Sequence, residues 1–435
     1  MRNELTNTSL SKRRLAVTPR GAPTLANFFV ARARNSELWD VEGRRYIDFA
    51  GGVGVLNTGH LHPRISEAVK TQIESFSHTC YTVAPYENYV AVAEKLTSLA
   101  PIPGAKKAIF LTTGVEAVEN AIKIARSATG RSGVIAFTSG FHGRTMFGMA
   151  LTGKMTPYKL GFGPFPPEIF HVPFPSHGVS AAQSLDAIDQ LFATSVEPHR
   201  VAALIVEPVQ GEGGFNVAPT EFLMALRKLC DAHGIVLIAD EIQAGFGRTG
   251  KWFAIEHSGV EPDLITLAKS LAGGYPLSAV VGKAKLMDAP EPGGLGGTYA
   301  GSPVGLAAAR AVIGVIENEG LLDRSYELGG RLATVLRELQ RENPKIIDVR
   351  GLGSMIAAEF GTLGKRGLVL DGATAKAVQH EAMERGLILL TCGVASSAIC
   401  FLYPLTIEDS VFAEAMEILT ESFRCGSAAA GMQAH

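Results

Sequence analysis

Residues 264–274 read LITLAKSLAGG, and this stretch decides the fold. Leu264 to Ala268 is a short, largely apolar run, the pattern of a strand buried on both faces. It ends on Lys269, followed by Ser270 and the pair Gly273-Gly274. A second run, Ile235 to Ala239, ends the same way on Asp240. In an open parallel sheet the ligand crevice lies outside the carboxyl ends of the strands. Lys269 and Asp240 are therefore expected to face one ligand from neighbouring strand ends. Taken alone, an ordinary salt bridge at a sheet rim fits the pair as well.

The same alternation runs outward from this stretch. Apolar runs at 108–111, 134–137, 203–206 and 278–281 join the first two, with amphipathic stretches such as 117–126 and 221–233 between them. Continuous apolar strands alternating with helices predict an α/β fold, a mostly parallel central sheet sandwiched by helices. Before it, ELWDVEGRRYIDFAGG reads as a hairpin turning at Glu42-Gly43; after it, residues 303–316 form a long apolar helix. From about residue 317 the composition shifts to helices rich in Glu and Arg, with short strands at 346–349, 355–360 and 399–402. This predicts a second, smaller α+β domain. The expected division is an N-terminal arm and hairpin over 1–55 contributing to the small domain, a large domain over 56–316, a C-terminal small domain over 317–425, and a flexible tail over 426–435. The polar start, MRNELTNTSLSKRRLAVTPRGAP, is expected to be a flexible arm. No internal repeat is visible.

Composition narrows the function classes. At 435 residues, with 46% hydrophobic and 19% charged residues, the chain is long enough for more than one core. Forty basic against forty-two acidic residues leave a net charge of −2 with no basic tract, so neither nucleic acid nor an anionic membrane is expected as a partner. No apolar stretch approaches the ~18 residues needed to span a bilayer. Five cysteines without a CxxC pattern argue against disulfide and zinc frameworks and for a reduced, cytoplasmic setting. The first residues lack the apolar core of a secretory signal.

Several segments carry chemistry. A lysine that forms a Schiff base and an acid that holds a pyridinium nitrogen are the protein's half of pyridoxal phosphate chemistry, which Lys269 and Asp240 match in kind. AIFLTTGVEAVENAIKIAR reads as strand, Thr-Thr-Gly turn and helix; the free N–H groups at such a helix start suit a phosphate, and Gly114 lets the backbone approach it closely. An ordinary strand-to-helix turn would look the same. In GFHGRT, Phe141 and His142 are placed to lie over a flat ring, and Arg144 to hold a carboxylate with its planar fork. Core packing and a surface charge are the plainer readings of those residue types. LIVEPVQGEGG puts Glu207 at a strand end and Glu212 in the loop beyond. Paired carboxylates raise glycoside hydrolysis, but that chemistry leaves Lys269 and Asp240 without a role. GFGRTGKW contains a formal GxGxxG and a near P-loop; Trp252 stands where a P-loop needs Ser or Thr, and the glycines do not open a helix directly from a strand. His60 and His62 have metal-like spacing but no third ligand, so they read as loop histidines and no metal is expected.

With these segments in order, the chain resembles the class III (subgroup II, fold type I) pyridoxal-phosphate-dependent aminotransferases, and within them the 4-aminobutyrate aminotransferases. The likeness covers about residues 20–420 and rests on GGVGVLNTGHLHP, TTGVEAVENAIKIAR, GFHGRT, VEPVQGEGGF, LIADEIQAGFGRTGKWFA, PDLITLAKSLAGGYPL, GGLGGTYAGSP and DVRGLGSMIA. It implies pyridoxal 5'-phosphate as cofactor, bound covalently by Lys269, which then shuttles the proton. Asp240 would hold the ring nitrogen protonated, Phe141 would stack on the ring and Gln243 would contact its phenolic oxygen. Gly114 and Val115 would bind the phosphate by their backbone, together with Thr298 from the neighbouring subunit of a homodimer or dimer of dimers. Arg144 would take the substrate carboxylate, Val53 and Glu207 would line the pocket, and Glu212 is the acid that in the subfamily pairs with a second arginine.

That second arginine is absent. The resemblance places it on a late strand before PLTIED, where this chain has SSAICFLYPLTIED with Cys400 at the position. Without it Glu212 is left with no evident partner. The expected activity is transfer of the amino group of an ω-amino acid, 4-aminobutyrate or 5-aminovalerate, to an oxo-acid acceptor, 2-oxoglutarate by resemblance, in ping-pong half-reactions. The alternatives are amine or ω-amino acid:pyruvate transamination and amino-acid racemisation on the same scaffold, or a relative that keeps the cofactor without catalysis.

Overall fold

A computed structural model describes residues 5–364 and 367–432. Its centre is a seven-stranded sheet in the order Lys106–Leu111, Ser278–Lys283, Leu264–Leu267, Val236–Asp240, Val201–Val206, Gly133–Phe137, Ile169–Val172. Only Ser278–Lys283 runs against the others, pairing antiparallel with both neighbours. Alternate residues divide between two cores, as the two-residue period of a strand requires. Ile135, Leu204, Leu237 and Ile265 enter one core. Val134, Ala203, Val236 and Leu264 enter the other, beneath Val118, Ile122 and Ala125 of the helix Gly114–Thr129. The sheet is thus covered on both faces, and its strand ends are left free to build a site.

The second unit has its own antiparallel sheet, Ile346–Leu352, Met355–Gly364, Ala398–Phe401 and Leu390–Cys392, packed with the helices Leu321–Glu342, Gly372–Glu384 and Asp409–Met432 around Leu328, Phe360, Phe401 and Phe412. The hairpin Glu37–Asp40/Arg45–Asp48 joins this unit through parallel pairing of Arg45–Asp48 with Leu387–Ile388, which puts Ile47 and Phe49 in its core. The large core draws mainly on Ile65 through Ile316 but also takes in Leu321 and Leu405 from the later part of the chain.

Both chain ends correct the sequence reading. The polar start holds a helix, Asn7–Val17, opened by Thr6, whose side chain accepts from Ser9 N. Asn7 ties it down, donating to Asp40 Oδ2 (3.0 Å) and accepting from Phe29 N (2.8 Å). That helix has no buried residue, so no apolar stripe announces it. At the other end the helix Asp409–Met432 runs through most of the expected tail, and Asn343 Nδ2 donates to Ser427 Oγ (2.8 Å). Residues 433–435 of that tail, and 1–4 of the expected arm, lie outside the described residues. The edge strand Ile169–Val172 was also not foreseen. No helix among the described residues is long and apolar enough to cross a membrane.

Candidate active site

Lys269 follows the strand Leu264–Leu267 by two residues, with a left-handed backbone (φ 44) that a non-glycine residue rarely adopts. The structure therefore holds it in a costly conformation at a strand end. Burial pushes its pKa down, opposed by the nearby carboxylates Glu212, Glu207 and Asp240. Asp240, 3% exposed, ends the adjacent strand. One of its oxygens accepts from Thr266 Oγ1 (3.0 Å) and Ile242 N (3.2 Å); the other lies 2.7 Å from His142 Nδ1. Lys269 and Asp240 line one cavity of about 530 Å³ and are not paired with each other. The sheet-rim salt bridge is thereby replaced by a lysine and an acid that share a ligand space.

His142 lines the same cavity, and its ring nitrogen is bound to Asp240. It is wholly buried, and burial alone would lower its pKa, but the Asp240 hydrogen bond and charge outweigh that and raise it. The sequence offered no sign of this partner, which lies 98 residues away.

One wall of the cavity is the start of the helix Gly114–Thr129. Its capping box satisfies selected donors. Thr113 Oγ1 accepts from Glu116 N, and Glu116 Oε2 accepts from the N–H groups of Thr112 (3.0 Å) and Thr113 (2.7 Å). Gly114 and Val115, both lining the cavity, keep first-turn N–H groups with no intrahelical acceptor. The GFHGRT loop packs tightly here, because a Cβ on Gly143 would lie 2.3 Å from Val115 Cγ2. Glycine at 143 thus lets the helix start and the loop carrying Phe141 and Arg144 meet.

Two acids and an amide complete the chamber. Glu207, after the strand Val201–Val206, accepts from Phe141 N and Gly211 N, both at 3.0 Å, and burial pushes its pKa up to about 7. It therefore fastens two cavity loops. Gln243 lines the cavity with a buried Oε1 that has no hydrogen-bond partner. A Cβ on Gly211 would sit 2.0 Å from that oxygen, so only glycine leaves room for it.

A second space of about 360 Å³ shares Lys269, Gln243, Phe141, Arg144 and Glu212 with the first and extends to Val53 and Cys400. Arg144 presents its guanidinium 4.7 Å from the ring centroid of Tyr158 and has no carboxylate partner among the described residues. Glu212 does have a partner, which corrects the sequence reading: Tyr158 Oη donates to its Oε2 (2.9 Å). Its loop is also ordered more than expected, held by the short strands Val209–Gln210 and Asn216–Val217 and by Gly393 N donating to Glu212 O (3.0 Å). Cys400, 3% exposed on the strand Ala398–Phe401, is diagonal to Cys392 across the sheet; the hydrogen bond with Cys392, then burial, pushes its pKa well up, so the thiol is neutral. Thr298 is exposed and does not line this chain's own cavity. His60 and His62 have separate carboxylate partners, Asp48 and Glu319, each at 3.0 Å, and no cluster able to hold a metal occurs among the described residues.

This constellation has counterparts elsewhere. The aminotransferase class-III family matches residues 17–423. A 5-aminovalerate aminotransferase of Pseudomonas putida is 54% identical over 96% of this chain and 98% of its own length. A 4-aminobutyrate aminotransferase of Escherichia coli is 48% identical over 96% and 98%. Among solved structures, an ornithine aminotransferase of Toxoplasma gondii with partial occupancy of the cofactor superposes with a TM-score of 0.86 at 28% identity, over 99% of this chain and 97% of the other. A transaminase of the marine bacterium Virgibacillus reaches 0.90 at 25% identity, over 97% and 99%. With a match across nearly its whole length, the chain belongs to the class III aminotransferases, enzymes of fold type I that work with pyridoxal 5'-phosphate.

Proposed function

We propose that the chain transfers the terminal amino group of an ω-amino acid, 5-aminovalerate or 4-aminobutyrate, to an oxo-acid acceptor, 2-oxoglutarate by family resemblance. The observation that carries this is Arg144, a cation without a carboxylate partner in the same cavity as the buried Lys269. It suits a donor with a carboxylate at one end and an amine at the other. The curated relatives are named for such donors, which favours this reaction over racemisation or amine:pyruvate exchange.

The residues present fit the cofactor. Gln243 offers an unpartnered buried oxygen, Gly114 and Val115 offer free N–H groups to a phosphate, and Asp240 is fixed as an acceptor for a protonated ring nitrogen. When bound, pyridoxal phosphate supplies a carbonyl that takes the amine and a cationic ring that accepts an electron pair. Lys269 would hold the cofactor covalently, and its amine would carry the proton between carbon atoms. Its lowered pKa keeps more of the neutral amine available for both tasks. Asp240, its carboxylate aimed by His142, would keep the ring nitrogen charged. Phe141, its backbone set by Glu207, would cover the ring. Arg144 fixes the donor carboxylate, with Val53, Glu212 and Cys400 as the remaining walls.

We also infer a homodimer or a dimer of dimers in which Thr298 of one subunit completes the phosphate site of its neighbour; its exposure away from its own cavity supports this. The five free cysteines support a cytoplasmic setting. Purified protein given either ω-amino acid with 2-oxoglutarate is expected to form glutamate and the semialdehyde in equal amounts. No glutamate from either donor would refute the assignment.

A further inference from the structure

Four consecutive residues, Gly51, Gly52, Val53 and Gly54, have left-handed backbones, with φ of 50, 63, 66 and 75. Glycine takes that conformation freely, but a β-branched residue does so only at a cost. Val53 is 43% exposed, so burial of its own side chain does little to offset the strain. It nevertheless lines the space shared by Lys269 and Arg144, as does Leu402. Such a turn persists only where its surroundings hold it. On one side Gly51 lies against Leu402 O, where a Cβ would come within 2.3 Å. On the other, Gly54 O accepts from Ser270 Oγ (3.0 Å), the residue after Lys269.

Arg248 spans this arrangement. It is wholly buried and has no carboxylate partner among the described residues. Burial pushes its pKa down to about 10, so it stays charged at neutral pH. A buried cation without a counter-charge is destabilising, and an apolar side chain of similar length would avoid that. What the guanidinium adds is a rigid fork with several donors. Its Nη1 donates to Tyr403 O (2.8 Å), next to Leu402, and its Nη2 donates to Asn57 Oδ1, just after the left-handed turn. Asn57 Nδ2 donates in turn to Phe246 O (2.7 Å), and Asn57 O accepts from Leu405 N (2.8 Å). The carbonyl of Arg248 is itself fixed by Ser325 Oγ (3.0 Å) and Ser354 N (3.1 Å) of the second unit. The fork thus sets the spacing between the Val53 turn and Leu402.

We propose that Arg248 is a positioning residue for the transfer reaction. It keeps Val53 in its strained conformation and holds the Val53 and Leu402 walls at a fixed separation beside Lys269. Arg248 lines neither cavity and acts through Asn57 and Tyr403. The ω-amino-acid reading enters only through the donor used in the second arm of the test.

The first arm needs no turnover. The N–H groups of Val53, Gly54, Val55 and Leu56 are bonded within the turn, to Ala50 O or Gly51 O, so hydrogen exchange reports on it directly. In holoenzyme carrying Arg248→Met, exchange over residues 50–57 is expected to speed up by about tenfold or more, with the helix Gly114–Thr129 unchanged. Unaltered exchange over 50–57, or equal acceleration in both segments, overturns the proposal. In the second arm, kcat/KM for 5-aminovalerate should fall about tenfold in Arg248→Met, chiefly through KM, because the displaced walls face the donor. In a Val53→Gly background, where glycine needs no clamp, the same substitution should cost no more than about threefold. An equal loss in both backgrounds shows a general structural role and overturns the proposal. Arg248→Lys keeps the charge but not the fork, and it goes through both arms if the methionine variant does not fold; the same outcomes decide. If no ω-amino donor turns over, the proposed activity fails, and the exchange arm still decides the role of Arg248.

Discussion

His142 Nδ1 lies 2.7 Å from Asp240 Oδ2, with both side chains almost wholly buried. Asp240 directs its other oxygen to Thr266 and Ile242, so the carboxylate is held from both sides and cannot rotate without breaking a buried hydrogen bond. The pair joins two loops distant in sequence, GFHGRT and the end of Val236–Asp240, at the point where the cofactor nitrogen is expected.

Replacing His142 with Phe should therefore act through Asp240. Losing a charge-assisted hydrogen bond is worth roughly 1.5–3 kcal/mol, so turnover is expected to fall about ten- to a hundredfold. His142→Asn, which can still donate, should recover part of the loss. Steady-state rates and the pH dependence of the cofactor's visible absorbance would check this; an unchanged absorbance profile in His142→Phe would show that the pair is only structural.

Lys269→Ala should bind the cofactor without retaining it covalently, so that borohydride labels wild type but not the variant. Asp240→Asn should fold and bind cofactor, yet slow proton abstraction by several orders of magnitude, because a ring nitrogen without an anionic partner is a poor electron sink. Near-normal turnover in either variant contradicts the assignment.

Much of this was legible in the sequence, for a physical reason. A strand buried on both faces reads as an apolar run, and its last residues point into the crevice, so Lys269 and Asp240 announced themselves by position. An apolar run does not encode direction, so the reversal of Ser278–Lys283 was invisible. Tyr158, which meets Glu212 across 54 residues, sits in a stretch with no periodicity, between Pro157 and Lys159. The bond of His142 to Asp240 was not legible, because its loop could be read from the sequence and its contact across the fold could not.

Arg144→Ala should cost on the order of ten- to a hundredfold in kcat/KM for 5-aminovalerate, while a simple alkylamine loses much less. The guanidinium lies exposed on the cavity wall and stacks on Tyr158 without an ion pair, so its removal leaves no buried charge behind. Equal losses for both amines would point to packing against Tyr158 as its main role.

Glu359 gives a pH prediction independent of catalysis. Burial opposes its ionisation, but His177 (2.9 Å), Arg350 (2.6 Å) and Ser397 (2.9 Å) outweigh this and hold its pKa down at about 2. A depressed folded-state pKa stabilises the fold above the ordinary carboxylate value, and that stability is lost as pH falls toward about 2. Thermal unfolding of Glu359→Gln should thus lie well below wild type at neutral pH, with the gap closing through the acid range. A gap that stays constant with pH would show that the ionised form contributes nothing.

Cys400 is where this chain departs from the pattern it otherwise follows, and the second carboxylate of 2-oxoglutarate is what that departure affects. A five-carbon diacid brings two carboxylates into the cavity, and a buried one left unpaired costs more than the hydrogen bond it lacks. Arg144 can satisfy one; the neutral thiol of Cys400 cannot satisfy the other. Cys400→Arg should place a guanidinium on the cavity wall beside Lys269 and Glu212. Specificity for 2-oxoglutarate should then rise by about tenfold, provided Glu212 leaves Tyr158 to make room. The competing account is that Arg144 serves both carboxylates in two poses, in which case the arginine adds nothing. Half-reaction rates of the aminated cofactor form with 2-oxoglutarate, in wild type and Cys400→Arg, separate the two. A wild type that is already fast, with no gain on substitution, would show that the thiol is a neutral replacement.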